Sequence, residues 1–140
     1  MTSSAMTDRQ LLDAFGDGTI EPGSFHHRDH LRLTWLLLKE GSLLQVLDQL
    51  TSGLREFARA AGHAEHYHET ITWAFVALIH QRMQVEKTAD EEESADFPAF
   101  LRRNGDLVSE GVKVLERYYR PETLAAPLAR QTFVLPDRGT

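Results

Sequence analysis

From Leu43 to Ala61 the apolar residues return every three or four positions. Leu43, Leu47, Leu50, Leu54, Phe57 and Ala61 form one stripe, and Gln45, Asp48, Gln49, Ser52, Arg55, Glu56 and Arg59 fill the other face. That period belongs to an amphipathic α-helix. Ser42, with Gln45 three residues on, is a capping box that starts it, and Gly62 ends it. Such a helix must lay its stripe on an apolar partner, and the chain supplies two. Residues 26–40 carry Leu31, Leu33, Trp35, Leu36, Leu37 and Leu38 and stop at Gly41; residues 68–86 carry Ile71 and the run Trp73–Ile79. Both are apolar on most sides, the pattern of central helices.

Shorter elements surround these three. Thr7 caps a helix over 7–15 whose inward residues are Leu11, Leu12 and Phe15, and Gly16-Asp17-Gly18 closes it. Asp96 and Pro98 start a fifth helix that stops at Asn104-Gly105. Leu107, Val108, Val112, Leu115 and Tyr119 predict a sixth, broken by Pro121. A turn of helix over 122–129 and an extended tail through Phe133–Pro136 follow. With no repeat and no strand pair, the expected fold is all-α: a compact bundle of about five to six helices with short connections. One domain spans 1–140, with 1–6 disordered and 130–140 as an extended tail.

Composition narrows the function. There is no cysteine, which excludes disulfides, zinc ribbons and thiol catalysis and leaves His, carboxylate and water as metal donors. The net charge of −6, from 15 basic and 21 acidic side chains, opposes binding to a phosphate backbone, which needs clustered Lys and Arg. Arg102-Arg103 is the one adjacent basic pair. The acidic run Asp90-Glu91-Glu92-Glu93 reads as a solvated loop. The apolar runs are too short to span a bilayer, and Met1–Ala5 lacks the basic and apolar regions of a secretory signal. The expectation is a cytoplasmic protein with no nucleic-acid or membrane partner, leaving a small molecule as the ligand class.

All seven histidines fall between residues 26 and 80. Three lie in Phe25-His26-His27-Arg28-Asp29-His30 and three in His63-Ala64-Glu65-His66-Tyr67-His68-Glu69. On a helix, His26 and His30, or His27 and His30, share a face and suit one metal ion. If the three main helices run up, down and up, the two clusters meet at one end of the bundle. A helix N-terminus also keeps an imidazole neutral, the form that binds metals and acts as a base. His80, roughly 16 Å along the helix from Glu69, stands apart as a structural or surface residue. The competing reading is structural: histidines at helix starts often cap, or bond a carboxylate such as Asp29, Glu65 or Glu69. Thr34, Thr70 and Thr72 lie near enough to bond a ligand or the preceding helical turn.

The segments Phe25-x-His27-Arg28-Asp29-His30-Leu31, Tyr67-His68-Glu69-Thr70-Ile71-Thr72 and Phe133-Val134-Leu135-Pro136-Asp137 resemble a family of small all-helical bacterial proteins with no established activity. The resemblance transfers no mechanism. It implies a site built from His27, His30, His68 and Glu69 rather than from His26, His63 and His66. The leading expectation is a metal-binding helical protein acting as a small-molecule enzyme. His27, His30 and His68 are its ligands, and Glu69 is a fourth ligand, a partner of a ligand or the general base. Such donors suit Zn, Fe, Ni or Cu, with hydrolysis, hydration or oxygen chemistry open. The alternative is a metal-free protein that binds a small molecule or partner and whose histidines are structural.

Overall fold

The capping residues do what their spacing demands. Thr7 Oγ1 accepts from Gln10 N at 3.1 Å while Gln10 Oε1 accepts from Thr7 N at 2.9 Å. Ser42 and Gln45 repeat the exchange at 3.2 and 2.8 Å. These boxes open α1 (Asp8–Asp17) and α3 (Leu43–Ala60); between them runs α2 (His27–Glu40). The chain continues through α4 (Glu69–Thr88), α5 (Phe97–Arg103), α6 (Asp106–Ser109), α7 (Pro121–Ala125) and α8 (Pro127–Gln131). Turns of 3-10 helix lie at Ser3–Ala5, Pro22–Ser24, Ala64–His66 and Gly111–Arg117. The computed structural model describes residues 2–89 and 93–138, and no strand occurs among them. Residues 90–92 of the acidic run lie outside the described residues; Glu93 is exposed, 4.0 Å from Lys39.

α4 explains its own composition. It packs against α2, α3, α8 and the 111–117 turn, so apolar residues are wanted on every side. Phe75, Val76, Leu78, Ile79 and Met83 are buried there, as are Leu31, Leu33, Trp35 and Leu36 of α2, where Trp35 lies against Phe97 and Phe100 of α5. α3 contributes Leu50 and Leu54, and also Val46, which lies off the expected stripe yet is fully buried.

Three expectations differ from the structure. The sixth helix is not continuous. Gly111 adopts φ +58°, a left-handed turn that re-phases the chain between α6 and the 3-10 segment. Leu107, Val114, Leu115 and Tyr119 are buried as a result, whereas Val108 and Val112 are exposed. Residues 2–6, expected to be disordered, are docked. Ser3 is buried with its Oγ 3.2 Å from Ser24 Oγ, and Arg32 donates to Met6 O at 2.7 Å. These are polar contacts with no hydrophobic period to announce them. The turn of helix expected over 122–129 is two helices, α7 and α8, parted at the extended Ala126, so the tail begins at Thr132 rather than at 130, and it is held. Tyr119 Oη donates to Val134 O at 2.8 Å, Phe133 stacks on Trp73 at 4.7 Å, and Thr70 Oγ1 donates to Thr132 O at 2.8 Å while accepting from Val134 N at 3.0 Å.

Phe15 of α1 rests on α3 where α3 has no side chain. A Cβ built on Gly53 would lie 2.1 Å from the Phe15 ring. Gly53→Ala is therefore expected to lower stability by about 1 kcal/mol, overpacking outweighing the ~1 kcal/mol helix preference of Ala. In a Phe15→Ala background the same change should stabilise. Urea denaturation of the four proteins checks this, and the same sign in both backgrounds rules it out.

A second junction is electrostatic. Arg82 on α4 holds Asp106 of α6 through two bonds of 2.6 and 2.8 Å, and Arg117 adds one of 3.0 Å. Hydrogen bonding and charge from Arg82, then from Arg117, lower the Asp106 carboxyl to about 2. A depressed carboxylate contributes stability above its unfolded value, lost as pH falls through the folded one. The contribution should therefore disappear between about pH 4 and 2. Asp106→Asn is expected to cost about 1 kcal/mol at neutral pH, after allowance for solvent screening, and to flatten that acid limb in a pH series of denaturation midpoints.

Candidate functional site

α2 and α4 contribute their N-terminal turns, and α3 its C-terminal half, to one cavity of about 540 Å³. This arrangement requires α3 to run opposite to both neighbours. Most of the wall is apolar, including Leu31, Leu54, Phe57, Ile71, Phe75 and Val76; His27, His30, His63, His66 and His68 also line it. The two histidine clusters therefore meet at one end of the bundle. His26 and His80 are not in the wall. His26 is exposed at the N-cap of α2, where its backbone N–H donates to Asp29 Oδ2 at 2.9 Å. His80 is half-buried beside Gln84 at 3.5 Å.

The histidines of the wall have different surroundings. His68 is buried and caps α4: Nδ1 accepts from Ile71 N at 3.1 Å, which leaves the proton on Nε2 to be donated to Leu124 O at 2.8 Å. Both ring nitrogens are engaged. His27 donates Nε2–H to Leu107 O at 2.9 Å and sets its ring edge against Phe75. His30 packs on Phe25 with ring centroids 4.1 Å apart. Its ring makes no hydrogen bond among the described residues. Burial, and then the charge of His27, lower the His30 imidazole to about 4, so it is neutral at physiological pH.

Glu69 is held away from this chamber. Its Oε2 accepts from Arg55 at 2.6 Å and its Oε1 from the Tyr67 hydroxyl at 2.5 Å, and it is not part of the cavity wall. Burial and the bond to Glu69 raise the Tyr67 hydroxyl, so it remains a donor. The expected set of His27, His30, His68 and Glu69 is therefore not assembled as a metal centre. No three of their ligand atoms come within 4.8 Å of one another among the described residues. Helix register put three imidazoles at one end of the bundle, but backbone carbonyls and an arginine take up several of the atoms a metal would need.

One group among the described residues meets that spacing: His63, Glu65 and His66, which could hold a metal ion. Glu65 Oε1 lies 3.6 Å from both His63 Nδ1 and His66 Nε2. Two ligands of a tetrahedral ion bonded at ~2.0–2.1 Å stand roughly 3.3 Å apart, so the span fits. Glu65's own backbone N–H, then His66 and His63, hold its carboxyl below the ordinary value, the ionised form a metal requires. The two rings stack at 4.7 Å and 3°. A metal takes a lone pair in the ring plane, so binding both requires the stack to open; both side chains are exposed and free to rotate. The resemblance had pointed away from His63 and His66. The signal that finds them is His-x-Glu-His between Gly62 and Tyr67, since a 3-10 turn of three residues places 63 and 66 on the same side.

No protein-family model, curated protein or solved structure matches the chain. Among the described residues no helix is long and apolar enough to cross a membrane.

Proposed function

We propose that the chain is a metal-binding helical protein and a small-molecule enzyme, with the ion held by His63, Glu65 and His66 beside the cavity. The observation that carries this reading is that His63 and His66 belong at once to the triad and to the cavity wall. A triad of two imidazoles and a carboxylate leaves coordination positions for water or substrate, and it suits Zn, Fe, Ni or Cu. The neighbouring apolar chamber would hold the substrate's carbon skeleton. Elemental analysis of tag-free protein purified without chelator should find close to one equivalent of a transition metal. His66→Ala and Glu65→Gln should each abolish uptake, while His68→Ala should not. At a hundredfold excess over Kd the ion should stabilise the fold by about 2.7 kcal/mol. Protein that carries no metal, and that none of the four ions stabilises, would refute the proposal.

The engagement of His27 and His68 by backbone carbonyls favours a second reading, a metal-free binding protein. Under it, removing metal with a chelator leaves ligand binding in the cavity unchanged.

A further inference from the structure

The polar atoms around the cavity are unevenly spent. Thr34 Oγ1–H is donated to His30 O and Thr72 Oγ1–H to His68 O, each at 2.8 Å. Tyr67 donates to Glu69, His27 Nε2–H to Leu107 O, and His68 Nε2–H to Leu124 O. These five hydrogens are thus committed elsewhere, while the threonine hydroxyls keep lone pairs. Among the described residues, no Lys, Arg, Asp or Glu contributes to the wall. The His30 ring makes no hydrogen bond among the described residues, and a neutral imidazole offers one nitrogen lone pair and one N–H; the more exposed rings of His63 and His66, also in the wall, offer the same pair. The cavity is largely apolar and uncharged, and its acceptors outnumber its donors.

From this asymmetry we infer that the cavity binds an apolar hydroxyl compound, a phenol or alcohol, whose O–H donates to the unprotonated ring nitrogen of His30. An ionised carboxylate fits poorly. It needs several donors or a fixed cation, and a neutral imidazole supplies one N–H and no charge. A pure hydrocarbon fits by shape and leaves the imidazole unpaired. A site built for a hydrogen bond discriminates strongly against the analogue that lacks it. The inference deepens the cavity part of the proposed function and does not depend on the ion.

The test uses three probes of one shape on the protein as purified and after chelator treatment: β-naphthol, naphthalene and β-naphthoate, titrated at pH 7.5. β-Naphthol should bind at least tenfold more tightly than naphthalene, and β-naphthoate no more tightly than naphthalene. The ring nitrogens of His30 should shift in NMR spectra on naphthol addition. His30→Leu should bind naphthol and naphthalene alike. Equal affinity for the two in the parent protein, a preference for the carboxylate, no binding of any probe, or a naphthol preference that survives in His30→Leu would each overturn the inference. The comparison of probes in the parent protein stands even where the variant does not fold. A naphthol preference in a protein that takes up no metal removes the metal reading alone; metal uptake without that preference removes this one alone.

Discussion

Taking the protein from pH 7 to pH 4 is expected to destabilise it by about 3 kcal/mol through His30 alone. The cause is burial, reinforced by the nearby His27, which lowers the imidazole from 6.5 to about 4. In the unfolded chain His30 takes up a proton as the pH falls through 6.5; in the folded chain it does not until about 4. The unfolded state therefore holds more protons across that window, and stability falls as pH falls. A difference of 2.5 between those two values, at ~1.36 kcal/mol per pH unit, sets the size. His30→Leu keeps an apolar side chain against Phe25 and has no proton to take up. Its denaturation midpoint should be nearly flat where the parent's slopes, with the two curves converging at higher pH. Parallel slopes between pH 6.5 and 4 would show that His30 is not buried as a neutral ring. The direction is opposite to that of a histidine held by a carboxylate, so the two arrangements cannot be confused.

His68→Ala should cost about 3 kcal/mol, and the loss should be the same with metal present or removed. Truncation frees two buried groups together. Ile71 N loses its cap and Leu124 O loses its donor, and an unpaired buried group costs about 1–3 kcal/mol. The ring is also buried, so a small void adds to the loss. His68→Asn retains a capping oxygen at the start of α4 and should recover part of the deficit without restoring the reach to α7. Thermal unfolding with and without chelator distinguishes the roles. A penalty that appears only in the presence of metal would make His68 a ligand after all.

The fold was legible where periodicity and caps agree. Ser42 with Gln45, Thr7 alone and Asp96 marked helix starts that occur where expected. The all-round apolarity of 71–79 announced a helix with neighbours on several sides. What failed to show was what has no period. Gly111 carries no mark in the sequence to say that it turns left-handed and re-phases the residues after it. Ser3 docks on Ser24 through hydroxyls that any loop might carry. The site followed the same division. Helix register brought His27, His30 and His68 to one cavity, because register is a property of spacing. It could not reveal that Leu107, Leu124 and Arg55 would take up His27, His68 and Glu69, because those partners come from segments 80, 56 and 14 residues away. Glu65 and His66 lie in a 3-10 turn with His63 at its N-cap, outside the period of an α-helix.

The straps across the start of α4 also set the order of events in folding. Leu124 satisfies His68, and Thr132 and Val134 satisfy Thr70, across separations of 56, 62 and 64 residues. Contacts of that range form after the helices they join, because a long loop must close before it gains anything. During synthesis, α2, α3 and α4 can pair while the 124–134 segment is still inside the ribosome, but the histidine chamber then lacks its outer brace. The scaffold is early and the site is late. In refolding, helical signal should therefore recover before β-naphthol binding does, with the interval set by the docking of residues 124–134.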